Sequence, residues 1–517
     1  MKITLISIYP DLQSFGIRTL SACLKQEGHD VDLIFLPKEF YKRYAEKTMD
    51  DIVKLTKKSE LVGISLMSNF FDNAIQITQK LKANYDFPIL WGGTHPTIKP
   101  EECLNYADMV CIGEGEEAIL ELSRRTQNKQ DYFNVKGMGF NNKGKIIING
   151  NRELPGSKKA ELYHLDQIPF QDHDYRSHFI LDGEDVVRMD TELLKKHWDF
   201  IYMTQPTRGC PFACAFCINN HLLQMHPHQK PIRKRSVDNI ISELQNVKSQ
   251  MPFTKYIKFD DDAFFLMSVD EITDFGKKYK KHIGLSLIIT GAVPSTLTEE
   301  KLSLLVEAGL VEMRMGIQTA SSESKKLYKR PHSNHQVEKA VRMIHAHKKL
   351  RAKYDIILDS PWDTDEGLIE TLRFLSKLPP PFKLTIFSLC FFPGTDLYRK
   401  AKKEGIIKDD LNEIYRKNFH GCKKTYLNGL FFLLRDYALI GVGVSEKLMF
   451  LMTDKRMKKL GLHLPLYMII KMIHPVFKIR ELTQRKGLKI FYHVPRILIK
   501  RLRAKGGGRW QDGYITK

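Results

Sequence analysis

Long hydrophobic runs are missing from this chain. Nowhere in its 517 residues do 18 or more apolar residues stand together, the length an apolar helix needs to cross a bilayer. The nearest approaches, around 429–453 and 462–477, are broken by Arg435, Lys447 and Lys471. A signal peptide is missing too: MKITLISIYPD is apolar for only a few residues and then meets Asp11, with no small-residue cleavage site. A cytoplasmic location is therefore expected, with peripheral contact to the inner face of a membrane as its variant. Cysteine is scarce, at 8 residues, and in a reducing compartment so few thiols build no disulfide framework. Acid is scarce at one end. From Lys423 onward 21 Lys and Arg face only 5 Asp and Glu, so 16 units of the net charge of +21 lie in the last 95 residues. Such a tail is suited to an anionic surface, nucleic acid or membrane.

What the chain does have is alternation. Residues 1–130 carry five strand-like runs, KITLISI, DVDLIFL, LVGISLM, FPILWGG and DMVCIG. Between them lie amphipathic helical patterns such as IRTLSACLKQEG, stopped by Gly28, and DNAIQITQKLKANY. Short apolar strands separated by helices predict a Rossmann-like, doubly wound parallel sheet that binds ligands at the carboxyl ends of its strands. Residues 131–199 read as a linker with a small hairpin around Asn142-Lys143-Gly144 and a proline-containing connector, LDQIPFQDHDY. Residues 200–398 hold six more strand candidates, FIYMTQ, KYIKFD, LSLIIT, VEMRMGIQ, YDIILD and KLTIFSL, each followed by a helix-length segment. That is the pattern of a partial TIM-type (β/α)6 barrel. Residues 399–517 read as a helical, basic region. The fold class is thus α/β.

After the first of those six strands comes TRGCPFACAFC, with Cys210, Cys214 and Cys217 at spacing C-x3-C-x2-C. Structural zinc takes four ligands, commonly as two close pairs. Here Cys23, Cys103, Cys111, Cys390 and Cys422 are scattered singly and supply no second pair. Three close thiolates without a fourth fit an iron–sulfur cluster with one iron left open to a substrate or cofactor.

On these residues the chain resembles the radical S-adenosylmethionine (SAM) enzymes, whose signature is this spacing after the first strand of a partial barrel, with an aromatic (here Phe216) before the third cysteine. The resemblance implies a [4Fe–4S] cluster on the three thiolates, SAM chelated by the open iron, and a 5′-deoxyadenosyl radical made by reductive cleavage. It also implies an external donor of the flavodoxin or ferredoxin kind. Phe216 would lie beside the adenine. FDDDAFF ends the second barrel strand with Asp260, Asp261 and Asp262, of which Asp261 is the expected cofactor contact. MRMGIQTASSES ends the fourth with Gly316, Gln318 and Ser321, expected on the ribose and methionine side, and Arg314 is a weaker candidate. Ordinary strand-end polarity or helix capping is the plain alternative for these residues. The role of YDIILDSPWDT is not legible.

The resemblance extends over roughly residues 1–400 to the radical SAM enzymes that carry a cobalamin-binding domain. Its distinctive matches are WGGTHPTIKPEECL, with Gly92 and Gly93, and ADMVCIGEGEEAIL, with Gly113 and Glu114. Glycine lets a bulky ligand approach the backbone. DLQSFG, Asp11 to Gly16, stands where methionine-synthase-type domains have D-x-H-x-x-G. Gln13 replaces the cobalt-ligating histidine, so cobalamin would bind without a histidine on cobalt, and Gln13 would bond a water or a corrin amide. Ser65 corresponds to the segment on the nucleotide tail. His95, beside Pro96, reads as a surface or interdomain residue.

The tail mixes apolar blocks with cations in LNGLFFLLRDYAL, HLPLYMIIKMIHPVFKIR and VPRILIKRLRAKGGGRW. That composition suits an interfacial helix or a helical cap over the barrel. No nucleic-acid-binding motif is present, so nucleic acid is not expected as a partner. The resulting expectation is a radical SAM methyltransferase that uses cobalamin on an unactivated carbon of a small or lipid-like molecule. A cyclase or oxidative enzyme of the anaerobic porphyrin type and a non-catalytic cobalamin or redox sensor are the alternatives.

Overall fold

The computed structural model of the protein describes residues 1–469, except 39–41, 199, 331 and 467, together with 509–511. The five amino-terminal strands form as β1 (Lys2–Ser7), β2 (Asp30–Phe35), β3 (Leu61–Ser65), β4 (Ile89–Gly92) and β5 (Met109–Cys111). They pair in parallel in the order β5-β4-β3-β1-β2. Residues 3–7 of β1 are buried without a break, because a central parallel strand covered on both faces needs apolar side chains on both. The helix Phe15–Gln26 buries Ile17, Ser21 and Leu24, one stripe at helical spacing. It ends at Gly28, whose φ of +83° suits the left-handed residue that closes a helix.

The stretch expected to be a linker is woven into the same sheet. β6 (Met138–Asn142) pairs antiparallel with β5, and β7 (Lys145–Ile148) returns along it. The turn carries Lys143 at φ +51° and Gly144 at φ +90°, both positive as a two-residue hairpin turn matched to strand twist requires. On the other edge β8 (His178–Asp182) pairs parallel with β2 and antiparallel with β9 (Asp185–Arg188). The sheet so grows to nine strands.

The chain divides into two compact units: Met1–Ala263 with Lys277–Ser286 and Phe391–Lys417, and Phe264–Gly276 with Leu287–Cys390 and the described residues from Asn418 on. The first unit continues past its large sheet with β10 (Ile201–Thr204), the two-residue strands β11 (Thr207–Arg208) and β12 (Arg233–Lys234), and β13 (Tyr256–Phe259). β10 and β13 pair in parallel, and β11 and β12 form an antiparallel ribbon. In the second unit β14 (Ser286–Ala292), β15 (Leu310–Gln318), β16 (Arg351–Leu358) and β17 (Phe382–Ser388) pair in parallel in chain order. All six strands read for residues 200–398 are therefore present. β15 and β16 alternate: Met313, Met315, Tyr354 and Ile356 are buried, while Arg314 and Asp355 lie on the half-exposed face.

The carboxyl-terminal region is not wholly helical. β18 (Gly421–Lys423) pairs antiparallel with β19 (Arg509–Gln511). The helix Tyr426–Leu439 starts at Thr425, whose hydroxyl accepts from Asn428 N at 3.2 Å. It packs on β17 and buries Leu430 through Leu434, so LNGLFFLLRDYAL is core rather than a membrane-facing block. The later apolar–basic blocks lie mostly outside the described residues. Among the described residues no helix is long and apolar enough to cross a membrane. Asp359, at φ +66°, accepts from Ser388 Oγ at 2.7 Å, Lys423 N at 3.0 Å and Asn428 Nδ2 at 2.8 Å. That gives YDIILDSPWDT a role: its aspartate ties the ends of β16 and β17 to the start of the carboxyl-terminal region.

Candidate functional site

In a parallel sheet the strand order reverses where neighbouring crossovers run to opposite sides, and ligands lodge at that point beyond the carboxyl ends. Here it falls between β1 and β3. A cavity of about 300 Å³ opens there, lined by Leu5 of β1, Gly63 to Ser65 of β3, and the loops carrying Gly16, Gly92, Gly93, Gly113 and Glu114. It reaches Thr207, Arg208, Gly209, Asn219 and Asp262. A second cavity of about 250 Å³ shares Gly93, Gly113, Glu114, Gly209 and Asn219 with it and is also lined by Cys210, Leu222 and Leu223. Both lie within the first unit.

The glycines make the larger cavity a cradle. A Cβ on Gly93 would sit 2.7 Å from the Leu66 carbonyl oxygen and 3.2 Å from Tyr9 Oη, and its φ is +99°. A Cβ on Gly16 or Gly113 would meet nothing within 4 Å; it would project into the space these residues line. A flat, bulky ring can therefore approach bare backbone here, and the residues fit a corrin. Six of the seven positions expected to hold cobalamin, Gly16, Ser65, Gly92, Gly93, Gly113 and Glu114, are gathered in this wall. Gln13 is the exception. Its Nε2 donates to the Ile201 carbonyl oxygen at 2.7 Å, so part of the amide expected on a water or a corrin amide is tied to β10.

The cysteine loop leaves β11 at Arg208. Cys214 is buried, while Cys210, Phe216 and Cys217 are half-buried. Cys217 N donates to Cys214 O at 3.1 Å, turning the chain between the two. Burial pushes the Cys217 thiol up to about 12, and charge on Asp262, Cys214 and Cys210 adds to the shift. The three sulfurs thus lie within electrostatic reach of one another, although among the described residues no three metal-ligating side chains already close on one point. The donor set, three soft thiols within eight residues, fits an iron–sulfur cluster.

Asp261 takes the plain alternative. It is 2 % exposed, and its carboxylate accepts from Thr207 N at 2.6 Å, Thr207 Oγ1 at 2.7 Å and Ala263 N at 2.8 Å. Burial raises its pKa to about 6 against those bonds. It anchors the ribbon that leads into the cysteine loop, and its neighbour Asp262 faces the cavity instead, bonded by Asn219 Nδ2 at 2.7 Å. His95 departs in part from its reading as well. It is fully buried, shares a hydrogen bond with Ser68 Oγ at 2.9 Å, packs edge-on against Phe71 and Tyr415, and burial lowers its pKa to about 3. It is not a surface residue, and its contact with Tyr415 of the carboxyl-terminal region accords with the interdomain half of its reading.

In the second unit Gln318 ends β15 at φ +62°, an uncommon backbone for a non-glycine residue. Its side chain folds back to where a Cβ on Gly316 would stand, 2.3 Å from Nε2, and its buried Oε1 has no hydrogen-bond partner among the described residues. Ser321 is a helix cap: its hydroxyl accepts from Ser324 N at 3.4 Å. Arg314 Nε donates to both Asp355 oxygens, at 2.7 and 2.8 Å, and the guanidinium lies over Phe387.

Sequence reasoning missed Arg208 and Arg233. Both guanidiniums converge on Glu114: Arg208 Nη1 donates to Oε2 at 2.9 Å, and Arg233 donates to Oε2 at 2.9 Å and Oε1 at 2.5 Å. Burial would raise the Glu114 pKa, but the two cations prevail and hold it at about 2. The signal was the Arg-Gly before Cys210; Arg233 had none, lying in a basic run with no periodicity.

The comparisons with known proteins agree with both halves. Residues 1–123 match the B12 binding domain family and residues 204–375 the radical SAM superfamily. An uncharacterized methyltransferase of Pyrococcus horikoshii is 27% identical over 396 residues, 75% of this chain and 78% of the relative. The bacteriochlorophyllide d C-8(2)-methyltransferase of Chlorobaculum tepidum is 22% identical over 72% of this chain and 74% of its own. Among solved structures, the cobalamin-dependent SAM radical enzyme OxsB, with aqua-cobalamin and SAM bound, superposes with a TM-score of 0.64 at 17% identity over 97% of this chain and 75% of that one. A glycine cradle on one sheet and a three-cysteine loop beside it are thus explained together: the chain is a radical SAM enzyme with a B12-binding domain ahead of its radical SAM domain.

Proposed function

We propose that this enzyme holds a [4Fe–4S] cluster on Cys210, Cys214 and Cys217, SAM on the cluster's open iron and cobalamin in the glycine cradle, and that it methylates an unactivated carbon of a small molecule. The observation that carries the reading is the shared wall: Gly93, Gly113 and Glu114 of the B12-binding domain line both cavities together with Gly209 and Asn219 beside the cysteines, and the second cavity also reaches Cys210. When bound, the cluster and SAM supply a hydrogen-abstracting 5′-deoxyadenosyl radical, and cobalamin supplies a methyl group. The chain's own residues bind, orient and exclude water. The cysteines must give up their protons to load, so burial of Cys217 makes loading release a proton and favours it at higher pH. Asp262, held by Asn219, offers a carboxylate to the cationic cofactor. Phe216 offers a ring for the adenine. Leu222 and Leu223 keep one side of the second cavity apolar.

The test uses SAM with a trideuterated methyl group, the anaerobically reconstituted enzyme, an external reductant and candidate extracts. Deoxyadenosine and a product carrying the intact label are expected. A product that has lost hydrogens without gaining the label would favour the ring-forming or oxidising alternative, as in the anaerobic porphyrin cyclases. Stoichiometric zinc with no cofactor cleavage would remove the radical reading.

A membrane surface fits as the second partner. Phe450, Leu451, Leu460, Leu462 and Leu464 are exposed in a stretch that also carries Lys447, Lys455, Arg456 and Lys459. Electrostatic attraction fades with salt, whereas inserted apolar side chains keep part of the affinity. Binding to anionic liposomes is therefore expected to fall with salt without vanishing, and binding to DNA to be weaker and fully salt-reversible. An intact chain that ignores liposomes at low salt would take membrane out of the account.

A further inference from the structure

The radical SAM and B12-binding parts meet through a charge set that neither cofactor explains. β11 and β12 place Arg208 and Arg233 directly opposite each other, and like charges so placed push a two-stranded ribbon apart. They do not do so here because Glu114 lies between their forks and takes three hydrogen bonds from them. Arg208 Nη2 also donates to Glu116 Oε1 at 2.7 Å, and Arg233 Nη1 to the Pro155 carbonyl oxygen at 2.5 Å. Two cations are thus matched by two carboxylates. Glu116 and the Arg233 side chain are nearly sealed from solvent. Glu114 is presented by a rigid loop: Gly113 has φ +87°, and its N–H donates to Thr97 Oγ1 at 3.0 Å. On the far side the ribbon passes straight into the first cysteine. Gly209 has φ +90°, and a Cβ there would stand 2.2 Å from the Pro231 carbonyl oxygen. The backbone next to Cys210 is therefore pinned against the residues that lead into β12.

We propose that Glu114 and Glu116, residues of the B12-binding domain, are positioning residues that latch the cysteine loop shut through Arg208 and Arg233. Retention of the iron–sulfur cluster then depends on a carboxylate that touches no iron and belongs to the other cofactor's domain. Glu114 without its charge leaves Arg208 and the nearly sealed Arg233 facing each other with only Glu116, on the Arg208 side, as the second carboxylate, and removal of one partner of a largely buried ion pair is costly. The ribbon opens, and the loop loses the fixed backbone from which Cys210 projects. The inference rests on the cluster assignment above, and its test separates the two.

The experiment compares the full chain with Glu114→Gln, Glu114→Asp and Glu121→Gln, each reconstituted anaerobically with iron and sulfide. Glu121 is the control: it lies on the helix Glu116–Gln127 and pairs with Arg125 and Arg152 away from the ribbon. Loss of cluster absorbance to EDTA is expected to be about ten-fold faster in Glu114→Gln, the scale on which groups behind a metal's ligands act. Glu114→Asp, which keeps the charge on a shorter stem, is expected to fall between. Glu121→Gln should release cluster at the wild-type rate even where its melting temperature drops as far. In the cluster-free chain, trypsin is expected to cut faster after Arg233 and Lys234 in Glu114→Gln than in the wild type or Glu121→Gln. Equal cluster release in Glu114→Gln and wild type, or equal acceleration in both Gln variants, would overturn the latch. A wild-type chain that takes up no cluster refutes the cluster assignment instead, and the trypsin comparison then decides the latch by itself.

Discussion

Cys214→Ala is expected to lose the iron–sulfur cluster and, with it, all deoxyadenosine formation. Cys214 is the middle cysteine of the three and, at 6 % exposure, a buried one. Its carbonyl receives the Cys217 N–H that turns the loop. Alanine preserves that backbone bond and costs the fold only one buried sulfur, about 1 kcal/mol on the scale of small core deletions. The chemistry has no such tolerance. A cubane held by two thiolates has no third anchor in this sequence, since the other cysteines are scattered singly. Iron and sulfide per chain, the EPR signal of the reduced protein with and without SAM, and chromatographic deoxyadenosine check the result together. A Cys214→Ala chain that keeps a SAM-responsive cluster would assign the metal elsewhere.

Gly93→Val is expected to abolish cobalamin uptake. Gly93 lines both cavities, and its φ of +99° is one that a β-branched residue adopts only under strain. Holding valine there costs about 1–3 kcal/mol from the backbone. The new Cβ, 2.7 Å from the Leu66 carbonyl oxygen, must also push the loops after β3 and β4 apart. Those loops are the cradle wall, so the effect is loss of the site rather than a modest weakening. Gly16→Ala separates the two causes. Its Cβ meets nothing within 4 Å, so stability should hold while the added methyl intrudes on the ring and weakens binding. Corrin absorbance retained after desalting measures both variants. In the wild-type chain the cob(II)alamin EPR spectrum should show no histidine nitrogen on cobalt, because Gln13 occupies that position and its amide is bound to the Ile201 carbonyl. A nitrogen-split axial signal would overturn the ligand assignment, and a chain that binds no corrinoid would overturn the site.

Individual residues were legible in the sequence where a backbone requirement was involved, and less so where a side chain had a choice of partners. Gly92, Gly93 and Gly113 stand at or just after the ends of buried strands, and at Gly93 the backbone approaches the Leu66 carbonyl oxygen too closely for a side chain. Asp261 and Ser321 show the opposite case. A carboxylate or hydroxyl at a strand end can face a cofactor or satisfy nearby N–H groups, and the choice depends on Thr207 and Ser324 N lying within reach. His95 beside Pro96 looked like a loop residue, yet the ring is enclosed by Phe71 and Tyr415, the latter 320 residues further on.

By itself the sequence determined the two parallel sheets, their order along the chain and the cysteine loop. Runs of apolar residues at strand length, helical stripes between them and C-x3-C-x2-C are local patterns, and local patterns survive without knowledge of what they pack against. Tertiary structure alone decided that residues 138–188 extend the amino-terminal sheet by four strands. Short edge strands carry too few residues to show a period, and only a neighbouring strand with open N–H and C=O groups gives them a place. It also decided the partners of the charges. Glu114, Arg208 and Arg233 are spread over 120 residues of chain, and nothing in their spacing pairs them. They meet because a half-buried carboxylate is stabilised where cations surround it, and the fold brings the two cations to one ribbon.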